Sequence, residues 1–244
     1  MTSSKRWETA QTYEMNYWRG VAKKIAEDAE QQLTWYDWKA SEVNKTLEKY
    51  KFKPDDSSNV LEIGSGPIGT TAYLGWGKRV ALDPLAEFYG EFPSLVAVRN
   101  PDVEYVKGQG EKLPYPDGYF SLVIIDNVLD HVNNAEGVLD EIFRVLADDG
   151  VLYLELNIHT LWGCLLHILL AKLNIDKGHP YSFTDNKIRR FLNNHGFDVQ
   201  ADWQNEYLDA REKNRKSNSL KAKVKGYTGL SEFIYFSVCT KKKA

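Results

Sequence analysis

One stretch of this chain places a carboxylate, three glycines and a second carboxylate at spacings suited to holding a nucleoside. In residues 59–71, NVLEIGSGPIGTT, an apolar run ends in Glu62-Ile63 and passes straight into Gly64, Gly66 and Gly69. Glycine removes the Cβ that would keep the backbone away from a ligand, and a helix after such a loop presents free N–H groups at its start. On its own the Gly-x-Gly-x-x-Gly spacing suits a dinucleotide equally well, and a tight strand-to-helix turn would need no ligand at all. Asp83 ends the next apolar run, 17 residues after Gly66, where a carboxylate can accept both hydroxyls of a ribose.

Other residues could act on a second ligand. His131 stands four residues after Asn127, His159 lies in Asn157-Ile-His-Thr160, and His179 lies in Gly178-His-Pro-Tyr-Ser-Phe-Thr184. Each falls in a loop expected at the active edge of a sheet, where a histidine can serve as a base near neutral pH. The plainer reading of His131 is packing or capping. The first 50 residues interleave Trp7, Tyr13, Tyr17, Trp18, Trp35, Tyr36 and Trp38 with charges. These rings could anchor the segment to the core, roof a pocket or form a dimer contact. Tyr13, Tyr17, Trp18, Trp35 and, further on, Tyr181 are the candidate substrate contacts.

To position these groups the chain needs strand ends facing one edge. Short apolar runs near 59–63, 79–83, 103–106, 120–126, 150–157, 197–203 and 232–239 read as strands. Helical periods about 69–76, 85–91, 134–147 and 184–195 alternate with them, the pattern of a doubly wound α/β sheet. Thr184 or Asp185 should cap the last helix and Gly196 close it. Residues 1–58 read as a helical cap or lid ending in a Pro-containing connector, and 59–244 as the main domain. Residues 211–225 carry seven basic residues against one acid, the composition of a solvated loop or of a patch for an anionic acceptor.

Bulk properties narrow the choices. A chain of 244 residues with 43% hydrophobic content can bury one substantial core. A net charge of −3 argues against a generic nucleic-acid binder. With Cys164 and Cys239 as the only cysteines, neither a disulfide framework nor a Cys-rich metal site is expected. The longest apolar run, 161–170, is about half a membrane span, and a soluble cytoplasmic protein with no metal is expected.

The motifs in order, VLEIGSGP, VALDP, GEKLPYPDGYFSLVIIDNVLDHV and EIFRVLADDGVLYLELN, resemble those of the class I S-adenosylmethionine-dependent methyltransferases in their small-molecule branch. The aromatic N-terminus, Asp-Pro-Leu-Ala86, Leu-Asp-His131 and His-Pro-Tyr-Ser-Phe-Thr184 further resemble methyltransferases associated with surface polysaccharide synthesis. The resemblance implies a Rossmann-like, seven-stranded, mostly parallel sheet and S-adenosylmethionine as cofactor. It implies that Glu62 and the Gly64-Ser65-Gly66 backbone hold the methionine end, and that Asp83 takes the ribose with Pro84 beside the adenine. Where the family commonly has Asp, this chain has Gln109, whose amide oxygen can still accept from the adenine amino group, with Gly110 and Glu111 following. Asp126 and Asn127 would line the sulfonium side. O-methylation of a polar small molecule or glycan, with His131, His179 or His159 as base, is the expected activity. An RNA or protein methyltransferase using the basic 211–225 stretch, and a non-catalytic cofactor-binding scaffold, are the alternatives.

Overall fold

In the computed structural model, which describes residues 4–52, 54–172 and 181–243, two long helices precede the sheet. They are α1 (Ser4–Glu27) and α2 (Ala29–Lys49). Asp28 caps α2 by accepting from the Gln31 N–H. Lys39, Ala40, Val43 and Leu47 form the buried stripe of α2, at the spacing of one helix face. The chain then alternates β1 (Asn59–Ile63), a 3-10 turn (Thr70–Tyr73), β2 (Lys78–Asp83), α3 (Ala86–Gly90), α4 (Pro93–Ala97), β3 (Val103–Lys107), β4 (Phe120–Asp126) and α5 (Ala135–Val145). It continues with β5 (Leu146–Ile158), α6 (Leu161–Lys172), α7 (Asp185–Asn194), β6 (Phe197–Gln204), α8 (Tyr207–Lys216), α9 (Leu220–Thr228) and β7 (Phe233–Lys241).

The seven strands lie in the order β3-β2-β1-β4-β5-β7-β6. All neighbouring pairs are parallel except those made by β7, which runs antiparallel to both β5 and β6. The doubly wound sheet expected from sequence is therefore present, and the chain reverses its direction of travel across the sheet between β1 and β4. On one face α5 and α7 bury Val138, Leu139, Ile142, Ile188 and Leu192 against the strands. The other face is covered by α2 around Val43 and Leu47, and by α1 with Ile25 and Ala22 against Ile68, Tyr89 and Leu95. The N-terminal helices are thus a layer of the core.

Two sequence expectations change. The helix expected over 69–76 is a single 3-10 turn, because positive φ values at Gly69, Gly75 and Gly77 break the run on both sides. The basic 211–225 stretch lies in the helical hairpin α8–α9 rather than in a loop. Arg211 and Arg215 both donate from Nε to the Gly226 carbonyl, at 2.9 and 3.2 Å, and Ser219 caps α9. The bare backbone of Gly226 is what lets α8 approach, since a Cβ there would lie 2.8 Å from Arg215 Cγ. The apolar 161–170 run forms α6, and no helix among the described residues is long and apolar enough to cross a membrane.

Candidate functional site

At the carboxyl ends of β1, β2 and β4, where the strand order reverses, a cavity of about 360 Å³ opens, the position at which open α/β sheets bind ligands. Its floor is the glycine loop. Gly64, Gly66 and Gly69 have φ of 69°, 62° and 81°, a region that L side chains rarely enter. A Cβ on Gly64 would fall 2.3 Å from Val128 Cγ2, and one on Gly66 would fall 3.0 Å from the Trp18 ring. Glycine is therefore favoured at both points of this cradle, where Val128 and the Trp18 ring pack closely against the bare backbone.

Two buried carboxylates hold the cradle's shape. Glu62 accepts the Thr70 N–H at 3.0 Å, and its other oxygen accepts the N–H and hydroxyl of Thr71, each at 2.9 Å. It lines the cavity while it anchors the turn that follows the loop, a role the sequence does not reveal. Asp83 accepts the Gly66 N–H at 2.9 Å and the Leu85 N–H at 2.8 Å. Tyr89 adds a side-chain bond, and a carboxylate, with about four lone-pair sites, still has room for a further hydroxyl donor. Burial outweighs these bonds and pushes the Asp83 carboxyl up to about 6.

That shift gives a pH dependence with opposite signs for stability and binding. Because the folded value exceeds the ordinary 3.8, ionising Asp83 lowers stability as pH rises from about 4 through 6. Hydroxyl donors need the ionised form, so affinity for S-adenosylmethionine should rise over the same window and level off above it. Calorimetric titration from pH 5 to 8 is expected to show roughly tenfold weaker binding at pH 5 than at the plateau. Asp83→Asn should flatten the curve.

Asp126 and Asn127 form the opposite wall. Asn127 has φ 52°, held by two bonds to β5. Its N–H donates to the Glu155 carbonyl at 2.9 Å, and its side-chain Oδ1 accepts the Asn157 N–H at 2.7 Å. Together they tie the end of β4 to its neighbour.

Lys39, from α2, reaches over the same corner. Its Nζ lies 2.9 Å from Asp126 and also pairs with Glu155, with Lys39 and Glu155 almost fully buried. Burial opposes the lysine's charge, but the two carboxylates hold its pKa above the usual value. Burial, followed by the charge of Asp126, pushes Glu155 up to about 7. Neither Lys39 nor Glu155 is among the site residues expected from sequence. The available signal is the position of Lys39 on the same helical stripe as Val43 and Leu47, which a solvated lysine would avoid.

The cavity roof is aromatic. Tyr17, Trp18, Trp35 and Tyr36 line it, with Glu14 and His131 beside them. Trp18 meets Tyr17 and Tyr89 edge-on at 5.1 and 5.7 Å. His131 Nδ1 stands 3.8 Å from Glu14, and Nε2 stands 3.6 Å from Asp130. Ser65, Pro84, Gln109, Gly110 and Glu111 also line the cavity. One Glu111 oxygen accepts the Asn133 and Asn134 N–H groups at 2.9 and 3.1 Å, so it fixes the loop that carries His131.

Three candidates from sequence lie elsewhere. His159 is buried against His167, ring centroids 5.3 Å apart, and does not line the cavity. Tyr13 is half exposed on α1 and stands outside the lining. Tyr181 donates its hydroxyl to the Asn133 carbonyl at 2.9 Å, bracing the His131 loop rather than facing the cavity. His179 lies outside the described residues.

Residues 61–154 match a protein family described as a methyltransferase domain, and no curated protein sequence matches the chain. Among solved structures, a putative sarcosine dimethylglycine methyltransferase from Galdieria sulphuraria superposes with a TM-score of 0.62 at 15% identity, covering 88% of each chain. A geranyl diphosphate methyltransferase, solved in complex with GPP and sinefungin, gives 0.61 at 13% identity, covering 82% of this chain and 78% of the other. The YcgJ protein of Bacillus subtilis gives 0.57 at 16%, covering 82% and 98%. These likenesses establish a shared fold. The matched family covers β1 through most of β5, the segment that builds the cradle, Asp83 and the β4 corner.

Proposed function

We propose that this protein, a class I S-adenosylmethionine-dependent methyltransferase, methylates a hydroxyl of a polar small molecule or glycan. The glycine cradle and its two buried carboxylates fit the cofactor. Gly64 to Gly66 and Glu62 would hold its methionine end, Asp83 its ribose, and Pro84, Gln109 and Gly110 its adenine. When bound, S-adenosylmethionine supplies an electrophilic methyl group on a sulfonium. The protein's own task is to align an acceptor, exclude water and receive a proton, and alignment of this kind can supply on the order of 7–11 kcal/mol.

The observation that carries the hydroxyl reading is His131 on the cavity wall, flanked by Glu14 and Asp130. An alcohol gains from proton removal as it attacks, whereas a neutral amine does not. The imidazole is the base in this reading: one ring nitrogen takes the hydroxyl proton while the carboxylate beside the other steadies the imidazolium that forms. The cavity-facing side of the two N-terminal helices roofs the acceptor, with Tyr17, Trp18, Trp35 and Tyr36 offering flat rings to the apolar face of a sugar. The sequence resemblance to methyltransferases of surface polysaccharide synthesis supports a glycan.

Comparative mass spectrometry of glycans and metabolites from cells with and without the gene, searching for gain of one CH₂, should identify the acceptor. With it in hand, His131→Ala is expected to lower kcat by about 10²–10⁴ while leaving calorimetric affinity for S-adenosylmethionine unchanged. An undiminished kcat would favour an amine acceptor instead, a reading that the acidic lining of Glu14, Glu111 and Asp126 supports.

A further inference from the structure

We infer that the protein docks on anionic phospholipid surfaces through the outer faces of α6 and α9. On α6, Leu161, Trp162, Leu165, Ile168 and Leu169 are each at least half exposed. Their spacing puts them on one helical face, opposite the buried Gly163 and His167. On α9, Leu220, Val224 and Tyr227 make a second exposed stripe at i, i+4 and i+7.

The start of α6 and the end of α9 adjoin. Trp162 donates from Nε1 to the Thr228 carbonyl at 3.0 Å, and a Cβ on Gly163 would lie 3.3 Å from the Gly229 carbonyl oxygen. Two neighbouring stripes of exposed large apolar side chains are unusual on a soluble monomer.

Charge identifies the occupant. At about 100° per residue, Lys221 and Lys223 fall on opposite sides of the α9 stripe, and both are exposed, as is Lys213 on the adjoining α8, where Lys216 pairs with Glu212 at 3.1 Å. Lysine is depleted in the cores of protein interfaces. It is favoured beside apolar stripes that enter a lipid headgroup layer, where its stem lies along the apolar surface and its ammonium meets phosphate. Trp162 and Tyr227 suit the same boundary. The hairpin's excess of base over acid is thereby given a use as part of a lipid-facing surface.

Topology places this surface on the cavity's edge. α6 leaves the carboxyl end of β5, while α8 and α9 link the carboxyl end of β6 to the start of β7. β6 runs parallel to β5, since both are antiparallel to β7. All three helices therefore stand at the strand ends that also carry the cavity. Docking would bring that edge to the bilayer whatever the acceptor proves to be.

The full chain should co-sediment with vesicles made of equal parts phosphatidylcholine and phosphatidylglycerol, and roughly tenfold less with phosphatidylcholine alone or in high salt. The double variants Leu165→Asp/Leu169→Asp and Lys221→Glu/Lys223→Glu should each lose binding to the mixed vesicles by about tenfold or more. Both should keep wild-type thermal melting and affinity for S-adenosylmethionine. A wild-type chain that stays in the supernatant would overturn the inference, as would well-folded variants that bind like wild type. Sedimentation as a dimer that Leu165→Asp/Leu169→Asp converts to monomer, without vesicle binding, would assign the face to a second copy and overturn it equally.

Discussion

Gly64→Ala should weaken binding of S-adenosylmethionine by about 30-fold or more. Its φ of 69° costs an L residue about 1–2 kcal/mol. The added methyl would also overlap Val128, whose Cγ2 lies 2.3 Å from the Cβ position, and overpacking of this sort costs about 1–3 kcal/mol. Either Val128 or the loop must shift to relieve the overlap, and a shift of the loop displaces the cradle. A summed penalty of about 2–5 kcal/mol corresponds to roughly a 30-fold loss in affinity at the lower end, measurable by calorimetric titration. Val128→Ala placed on the variant should recover the overlap but not the backbone cost, and comparison with Val128→Ala alone separates the two. Wild-type affinity in Gly64→Ala would mean that the cofactor does not lie on this loop.

Lys39→Met should be the most destabilising single change at the site. It leaves Asp126 and Glu155 facing each other with no cation between them, and breaking a buried ion pair from one side costs about 3–5 kcal/mol. For a chain of this length that lowers Tm by about 6–20 °C. The sign of the pH effect follows from Glu155, whose folded pKa is raised from 4.5 to about 7. Ionising it costs the folded state stability as pH rises through that window, and costs more without Lys39. Differential scanning calorimetry should therefore show a larger deficit at pH 8 than at pH 5. Adding Asp126→Asn and Glu155→Gln to Lys39→Met should restore much of the loss. A Tm within about 2 °C of wild type at pH 8, against a shift several times that size expected, would show that the lysine is not structural.

The sheet is legible in the sequence because each strand is a short apolar run closed by a polar or glycine signal, as in Val60-Leu61-Glu62-Ile63 before Gly64. Phe120–Asp126 matches its expected bounds to the residue. The region after the glycine loop is not legible, since helical period in 69–76 competes with Gly75 and Gly77, and backbone conformation there is set by hydrogen bonds to Glu62. The basic hairpin reads as a loop because charge count hides its determinants, a missing Cβ at Gly226 and two arginines that share its carbonyl. At the site, the floor is visible in local motifs. The Lys39–Asp126–Glu155 cluster is not, because it joins positions as far apart as 116 residues that no motif spans. The histidines look alike in sequence, and only packing separates His131 on the cavity wall from His159 in the interior.

The placement of β7 has a consequence for synthesis. It follows the six other strands in the chain, yet it is inserted between β5 and β6, and β6 has no other neighbour among the described strands. Until residues 233–241 have left the ribosome, β5 presents a bare edge and β6 has nothing to pair with, a state prone to joining strands of other chains. The long apolar strand β5 is the more hazardous edge, since its register with β7 runs from Val151 to Ile158. A chain stopped just before Phe233 would carry the glycine cradle and an open sheet edge, and should aggregate more readily than the full chain.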